Sequence, residues 1–149
     1  MGERAIFRNT MGLVLSAVFV AGCLPGTGAG APPSSAPSDD VFISMLRAIE
    51  ERRADRFAAA VALTANPDKE TIWQNLNTFL DNAEKIELDV TVDRRIHKAD
   101  EVIYLFSWTR KYQKRDTGET VTDSGESEWS FSNRTGRYLL VQMTGNELF

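Results

Sequence analysis

The sequence predicts an α+β domain in which N-terminal helices pack on a curved, cone-like, antiparallel meander of four strands. Between Val41 and Ala83 the apolar side chains recur every three or four residues, which is the period of an amphipathic helix. From Glu84 onward they recur every second residue, as in half-buried strands. The connections between these strands are only a few residues long, so consecutive strands must be antiparallel neighbours. Helices followed by a meander indicate the α+β class.

Composition narrows the function classes. With 149 residues, of which 42% are hydrophobic and 26% charged, the chain suffices for one globular domain and excludes a large multidomain enzyme. The single cysteine excludes a disulfide within the chain, and the single histidine excludes a multi-histidine metal centre. A net charge of -4 argues against nucleic acid as a partner, because phosphate binding requires a concentrated basic surface.

Residues 1–22 have the organisation of a signal peptide. Arg4 and Arg8 supply the positive start, and residues 11–20 form an apolar run that is too short to span a bilayer. The alternative interpretation is a membrane-anchoring or buried helix with an incidental cysteine.

The stretch Val20-Ala21-Gly22-Cys23 resembles the lipobox of bacterial lipoproteins, in which the cysteine becomes the first mature residue. The resemblance implies that Cys23 carries diacylglycerol and an N-acyl chain such as palmitate. Two or three acyl chains, at about 0.8 kcal/mol per buried CH₂, make such an anchor effectively permanent. Leu24 stands where an inner-membrane retention signal would place an Asp. The implied location is therefore the outer membrane of the bacterial envelope, with the domain facing the periplasm.

Residues 23–40 are predicted to be the lipidated cysteine and a flexible linker. This stretch holds four of the five prolines and no large apolar residue after Leu24, so it cannot bury a core. Its expected end-to-end distance of roughly 20 to 25 Å keeps the folded domain, residues 41–149, close to the membrane.

Three helices are predicted in the first half of the domain. Residues 38–40 supply capping and dipole-favoured side chains for the first helix, which the charged run 50–53 ends. A second, short helix extends from Phe57 to Val61. Pro67 takes the first position of the third helix. The apolar stripe of that helix comprises Ile72, Leu76, Phe79, Leu80 and Ala83.

Four strands are predicted in the second half, with turns at residues 97–100, 116–118 and 134–136. Pairing them around these turns gives a core face and an outer face. The core face comprises Ile86, Leu88, Val90, Val92, Ile103, Leu105, Trp129, Phe131, Tyr138 and Leu140. Its polar end, with Trp73 from the third helix, is predicted to form a ligand pocket lined by Trp73, Ser107, Thr109, Asp123, Ser127, Trp129 and Gln142.

The outer face is predicted to carry a second apolar surface. Its members are Tyr104, Phe106, Trp108, Leu139, Val141 and Met143. Contiguous apolar patches of this size are unusual on the surface of a monomer. This surface therefore predicts a homodimer or another protein partner.

Residues 39–149 resemble the nuclear-transport-factor-2-like (NTF2-like) superfamily, a cystatin-like cone fold that includes ketosteroid isomerase and polyketide-cyclase-like members. The resemblance rests on the order of helices and meander, on the segment Ile49–Phe57 and on Gly136-Arg137-Tyr138 at the last strand. One departure is that the family's short hairpin between the second and third helices has no room in residues 63–67.

Catalytic members of that superfamily place an Asp, His or Tyr deep in the cone. His97 stands at a hairpin end, where a solvated turn residue is expected. Asp123 is the one acidic side chain on the predicted inner face and hence the one candidate general base, although a salt bridge to Lys111 is the simpler interpretation.

Other charged groups are interpreted as solvated surface. No calcium loop, phosphate-binding loop or dinucleotide motif occurs, so no metal or cofactor is predicted. The carboxylates of Asp89, Asp93, Glu126 and Glu128 are expected on an open face of the sheet. A basic cluster could touch anionic headgroups or simply be solubilising; it comprises Arg110, Lys111, Lys114 and Arg115.

Three function classes remain. The predicted one is a non-catalytic envelope lipoprotein that binds a small apolar ligand or a protein partner through the cone or the outer sheet face. The alternatives are a small isomerase or lyase that uses Asp123, and a dimeric envelope scaffold or assembly factor.

Overall fold

The structure is a computed structural model that describes residues 38–134 and 136–149. The predicted signal peptide, the predicted lipidation site Cys23 and most of the predicted linker lie outside the described residues. In the part of the chain that the structure describes, each helix is too short or too polar to cross a lipid bilayer.

Helices pack on one face of a curved, mixed sheet, which confirms the predicted α+β, cone-like class. The strand order is β1-β5-β4-β3-β2. The last four strands form the predicted antiparallel meander. The elements are α1 (Ser38–Glu50), α2 (Ala54–Ala59), β1 (Val61–Asn66), α3 (Lys69–Asn82), β2 (Ala83–His97), β3 (Glu101–Lys114), β4 (Thr120–Ser132) and β5 (Leu139–Gly145).

The sheet has five strands, and the prediction of four was wrong. Val61, expected at the end of the second helix, begins β1, which lies parallel to β5 with Val61 beside Leu140. The Leu140 amide donates a hydrogen bond to the Ala60 carbonyl at 2.8 Å. A segment of six residues is too short for its pattern to distinguish a helix from a strand. It forms a strand here because the open edge of β5 supplies backbone hydrogen-bonding partners. A single strand occupies the space that was too short for a hairpin.

The start of α3 is set by Asp68 and not by Pro67. The Asp68 side chain caps the helix by accepting a hydrogen bond from the Thr71 amide at 3.0 Å, so the helix begins two residues later than predicted. Its predicted apolar stripe is confirmed, because Ile72, Leu76 and Leu80 are buried against the sheet.

Arg52 holds the other end of α3. Its backbone has a φ of 60°, and its guanidinium donates to the carbonyls of Leu80, at 2.6 Å, and Ala83. Carbonyls in the last turn of a helix have no partner within the helix, so this side chain provides one.

The two faces of β3 are the reverse of those predicted. Asp93 forms a one-residue bulge in β2, so Val92 pairs with Phe106 and not with Ser107. The even-numbered residues of β3 therefore share a face with Leu88, Val90 and Val92, and the odd-numbered residues lie on the other face. Tyr104, Phe106 and Trp108 point toward the helices, with exposed fractions of 1%, 1% and 5%, and cannot form the predicted dimer face. Ile103 and Leu105, predicted in the core, lie on the opposite face.

A second bulge, at Val141, reverses part of β5. Leu140 pairs with Phe131, whereas Gln142 pairs with Ser130 and Met143 with Trp129. Met143 therefore packs toward the core, and Gln142 faces outward, each on the side opposite to the prediction. Leu139, paired with Ser132, remains on the outer face as predicted.

Candidate functional site

The interior of the cone is packed with aromatic rings. Trp129 is fully buried, and its ring lies edge-on to Phe42, Phe57 and Phe106 at centroid distances of 5.7, 5.8 and 5.3 Å. Phe42 also stacks flat on Tyr104 at 4.5 Å. Edge-to-face contacts of this kind add to the free energy already gained from burial. The aromatic side chains therefore stabilise the core and leave little space between the helices and the sheet.

Arg110 places a positive charge inside this apolar interior. Its Nε donates to one oxygen of Asp123 at 2.9 Å, and a second N–H donates to the other oxygen. A third N–H donates to the Leu148 carbonyl. The guanidinium also lies 4.5 Å from the centroid of the Phe79 ring. A two-point pair with a carboxylate is what allows a guanidinium to remain in such a position.

This pair changes the interpretation of Asp123. An ion pair was predicted, but with Lys111, which instead lies 3.8 Å from Glu87. Because the Arg110 guanidinium donates to both carboxylate oxygens, the candidate general base is oriented toward Arg110 as one half of an ion pair.

Residues 146–149 fold back into the cone. At Gly145 the chain turns with a φ of +96°, and a Cβ there would lie 2.5 Å from the Glu126 carbonyl oxygen. Beyond the turn, the Asn146 amide donates to that carbonyl at 2.7 Å. Leu148 is 1% exposed, and the Phe149 ring lies edge-on to Phe57 at 5.3 Å. This segment fills the part of the cone that would otherwise be open.

A small cavity lies beside this segment. It measures about 100 Å³ and lies between α3, Trp129, Met143 and residues 144–149. Pockets for drug-sized ligands and substrates usually measure roughly 300 to 1,000 Å³. The isomerase or lyase alternative needs an acid–base group in an enclosed site of sufficient volume, and Asp123, its candidate, does not line this cavity.

The residues of the predicted ligand pocket are divided between the two faces. Asp123, Ser127 and Trp129 lie inside the cone, where the Ser127 hydroxyl donates to the Asn146 carbonyl at 2.6 Å. Three others, Ser107, Thr109 and Gln142, lie on the opposite face, because the two bulges reverse their strands. Trp73 is 42% exposed on α3. The structure therefore does not bring the predicted pocket together.

The side of the sheet away from the helices, called here the outer face, is open in its central part, around Thr109 and Ser124, whereas Ile103 and Ser130 on the same face are buried. It is largely polar, with a shallow depression of about 340 Å³ on it bordered by residues of β2, β3 and β4. The Ser107 hydroxyl donates to Asp93 within this surface. Its residues are Glu87, Asp89, Thr91, Asp93, Arg94, Ile96, Ile103, Leu105, Ser107, Thr109, Lys111, Thr122, Ser124, Glu126, Glu128, Ser130, Leu139 and Gln142.

A hydrogen-bonded group connects Tyr104 to the start of α1. The Tyr104 hydroxyl donates to the Asp39 carboxylate and lies 2.8 Å from the Ser38 hydroxyl. Arg95 pairs with the same carboxylate at 3.1 Å. Burial, together with the hydrogen bond to Asp39, raises the pKa of Tyr104 to about 12. The phenol is thus held in its neutral form, with its oxygen already occupied.

The other predicted site candidates lie on the surface. His97 is exposed at the end of β2, as expected. The basic cluster is paired with carboxylates: besides Arg110, Lys114 lies 3.0 Å from Glu119 and Arg115 lies 3.2 Å from Glu84. Among the described residues, no three His, Cys, Asp or Glu side chains are gathered so that they could hold a metal ion.

Solved structures of known proteins resemble this domain closely in fold. A ketosteroid isomerase-like protein from Erwinia carotovora atroseptica superposes with a TM-score of 0.66 at 8% identity, covering 78% of this chain and 98% of that one. An NTF2-like superfamily protein from Salmonella enterica gives 0.60 at 11% identity, covering 72% and 85%. The domain has an NTF2-like fold. No family model matches the chain, and no curated protein matches it.

Proteins with this NTF2-like fold carry names from different function classes. A candidate calcium/calmodulin-dependent protein kinase type II association domain from Thiobacillus denitrificans gives a TM-score of 0.62 at 15% identity, covering 80% of this chain and all of that one. Others are named as a hexachlorocyclohexane dehydrochlorinase and a candidate dehydratase. Likeness at these identities shows the fold alone, so the function of this NTF2-like domain has to be argued from its own residues.

Proposed function

We propose that this chain is a non-catalytic lipoprotein of the bacterial cell envelope, whose NTF2-like domain binds a protein partner through the outer face of its sheet. The proposal has two parts, a lipid anchor at Cys23 and a binding surface on the domain. The first comes from the sequence, and the second from the arrangement of the described residues.

The anchor is supported by the order of features at the start of the chain. Arg4 and Arg8, a short apolar run and the small residues before Cys23 occur in the order that lipoprotein processing requires. Cells grown with a clickable palmitate analogue should incorporate it into the protein. Replacing Cys23→Ser should abolish the label and release the protein from the membrane fraction. Equal labelling of both forms would contradict the anchor.

The filled cone is the observation that carries the second part. Residues 146–149 and the aromatic side chains leave a cavity of about 100 Å³. A substrate or an apolar ligand of ordinary size does not fit such a volume. The geometry therefore favours a binding function over catalysis, and a protein partner over a small ligand in the cone.

The chemistry of the outer face indicates what kind of partner fits. Its apolar members are few, since Tyr104, Phe106 and Trp108 are buried on the other side. In the central part of this face, the five carboxylates at residues 87, 89, 93, 126 and 128 outnumber the two cations Arg94 and Lys111. Complementary charge speeds association and suppresses wrong partners, so a basic partner surface fits best. A second copy would set carboxylates against carboxylates, which opposes the homodimer expected from the sequence.

The names of the structural neighbours support a binding role as well as an enzymatic one. One is a candidate association domain, whereas others are named as enzymes. Because the fold serves both, the pairing of Asp123 with Arg110 tips the choice toward binding.

Photo-crosslinking in living cells tests the surface directly. A photoreactive amino acid at Thr109, in the open centre of the outer face, should give a discrete adduct. The same amino acid at Thr64, an exposed threonine on β1 at the far edge of the sheet, should not. Native mass spectrometry of the adduct separates the candidate partners, since twice the mass of the chain would identify a second copy.

Charge is tested with a pair of matched variants. Asp89→Asn with Glu126→Gln should lower the adduct yield at Thr109 several-fold, and added salt should act in the same direction. Asp81→Asn with Glu70→Gln removes the same charge from α3 and should leave the yield unchanged. Equal adducts at Thr109 and Thr64, or a yield insensitive to the outer-face carboxylates, would contradict the proposal.

A further inference from the structure

We infer that the domain docks on the anionic surface of the membrane with one particular end of its sheet, the end at which the linker enters. This end, called here the linker end, comprises the β2–β3 turn (residues 98–100), the described residues of the β4–β5 connection (133–138) and the first turn of α1. The inference rests on the proposed anchor at Cys23. It adds which surface of the domain meets the lipid and why.

The entry point of the linker is held at this end by specific contacts. Ser38 is hydrogen-bonded to Tyr104 at 2.8 Å, and Asp39 is paired with Arg95 at 3.1 Å. Tyr104 is the fourth residue of β3, so the chain joins the domain about 10 Å from the turn at roughly 3.3 Å per residue. From there α1 runs toward the other end, where Glu50 accepts a hydrogen bond from the Leu88 amide.

The linker is short compared with the sheet. Fourteen residues separate Cys23 from Ser38, and a flexible chain of that length spans about 20 Å on average. The 14-residue strand β3 is about 45 Å long. The average tether therefore reaches less than half the length of the sheet. The linker end stays near the headgroups, and the β3–β4 turn lies well away from them when the sheet stands upright.

The tips of the linker end carry an excess of cations. The two connections hold Lys98, Arg134 and Arg137 against one carboxylate, Asp100. The β4–β5 connection is tied to the β2–β3 turn, because the Asn133 amide donates to the Asp100 carbonyl at 2.9 Å. The cations of two separate loops thus form a single surface at the end of the sheet.

Most carboxylates near this end are paired with a cation, accept a hydrogen bond or lie away from the tips. Asp39 is paired with Arg95, and Glu101 with Lys98 at 3.1 Å. Asp93 accepts a hydrogen bond from Ser107, and Asp40 lies in the first turn of α1. With Arg95 added to the three tip cations, the end up to the level of Tyr104 holds four cations and four carboxylates, at residues 39, 40, 100 and 101, and is neutral.

The distribution of charge then favours one orientation of the domain on an anionic membrane. The rest of the domain holds eleven cations and sixteen carboxylates, so an anionic surface repels it. Each Lys or Arg near an anionic membrane contributes about 1 kcal/mol of attraction, which falls off within a Debye length. The linker end is the neutral end with basic tips, and the tether keeps it within reach of the lipid. Ile96, an isoleucine 36% exposed beside His97, adds an apolar contact.

Fluorescence quenching in vesicles tests this orientation. The acylated, full-length mature protein would be reconstituted into vesicles of phosphatidylethanolamine and phosphatidylglycerol at about three to one. A fluorophore on Ala99→Cys, at the tip of the β2–β3 turn, should be quenched by headgroup-labelled lipid. A fluorophore on Thr117→Cys, in the β3–β4 turn, should be quenched much less. In phosphatidylcholine vesicles the difference should shrink.

Charge variants separate docking from simple tethering. Arg134→Gln with Arg137→Gln should lower the ratio of docked to undocked protein about fivefold per cation removed. Lys111→Gln with Lys114→Gln makes the same change of charge at the far end and should have little effect.

Three results would overturn the inference. Equal quenching at Ala99 and Thr117 in protein that floats with the vesicles would show an anchored but undocked domain. Insensitivity to Arg134 and Arg137 would remove the electrostatic basis. A protein that carries no acyl mass and fails to float would refute the anchor itself, and the docking with it, so the two failures are distinguishable.

Discussion

Replacing Tyr104 by phenylalanine should remove a specific part of the domain's sensitivity to alkali. The Tyr104 hydroxyl is buried and donates to Asp39, and its pKa is raised to about 12 from the ordinary value of 10.0. In the unfolded chain the phenol is solvated and titrates near its ordinary value. The folded and unfolded states therefore differ in bound protons only at high pH.

The direction and size of the effect follow from this difference. Below about pH 10 both states keep the phenolic proton, so the free energy of unfolding does not depend on this group. Between about pH 10 and 12 the unfolded chain loses the proton and the folded chain keeps it. Each pH unit in that window then costs about 1.4 kcal/mol, so Tyr104 accounts for roughly 2 to 3 kcal/mol of lost stability.

Urea unfolding of residues 38–149, followed by the fluorescence of the buried Trp108 and Trp129, measures this loss. Tyr104→Phe should cost about 1 kcal/mol near pH 8, because the hydrogen bond to Asp39 is lost while Arg95 still pairs with that carboxylate. Between about pH 10 and 11.5 the variant should lose less stability than the unmodified domain, and the two curves should converge.

The control is Tyr138→Phe. This variant removes a tyrosine hydroxyl from the residue that precedes β5 and keeps Tyr104. Its stability should fall between about pH 10 and 11.5 as steeply as that of the unmodified domain. If the stability of Tyr104→Phe falls with pH as steeply as that of the unmodified domain, the link between Tyr104 and the alkaline transition is refuted.

Further variants test the contacts that close the cone and cap α3. Gly125→Ala places a Cβ 2.6 Å from that of Asn146 and 2.8 Å from the Trp108 ring, so urea unfolding should show a loss of about 1 to 3 kcal/mol. Asp123→Ala removes the carboxylate that pairs with Arg110, whose side chain is only 10% exposed. Because Asp123 is itself 38% exposed, the expected loss of stability is about 1 to 3 kcal/mol. An unchanged unfolding midpoint would contradict the role of the pair. Arg52→Ala should cost about 1 to 2 kcal/mol, whereas Arg52→Gly should cost less, because glycine accepts the φ of 60° without strain. Equal losses in the two Arg52 variants would show that the backbone conformation contributes nothing.

Much of the fold could be predicted from periodicity alone. The change from a period of 3.6 to a period of 2 near Glu84 separates helices from strands, and β3 lies between the predicted turns at residues 97–100 and 116–118. The turn at residues 116–118 fixed the neighbours of that strand. Segment 61–66 was too short for periodicity to decide, and only the open edge of β5 made it a strand.

The face of the sheet on which each candidate site residue lies could not be predicted from the sequence. The errors in β3 and in β5 have the same cause. A bulge leaves no clear signal in a single sequence, yet each one reverses the faces of all the residues that pair beyond it. The bulge at Asp93 moved Tyr104, Phe106 and Trp108 from a supposed dimer surface into the core. The bulge at Val141 exchanged Met143 with Gln142. Sequence reasoning also missed Arg110 as a core residue, for the same cause.

Patterns within short stretches of chain were enough to predict the class of the fold, its three helices and the meander. The lipid anchor, predicted from the same kind of pattern, stays a prediction. The tertiary structure decided which side chains fill the cone, that residues 146–149 close it, and that the outer face is acidic and open. Those properties depend on how distant strands are aligned. A shift of one residue in that alignment changes the face of every side chain while leaving the local pattern unchanged.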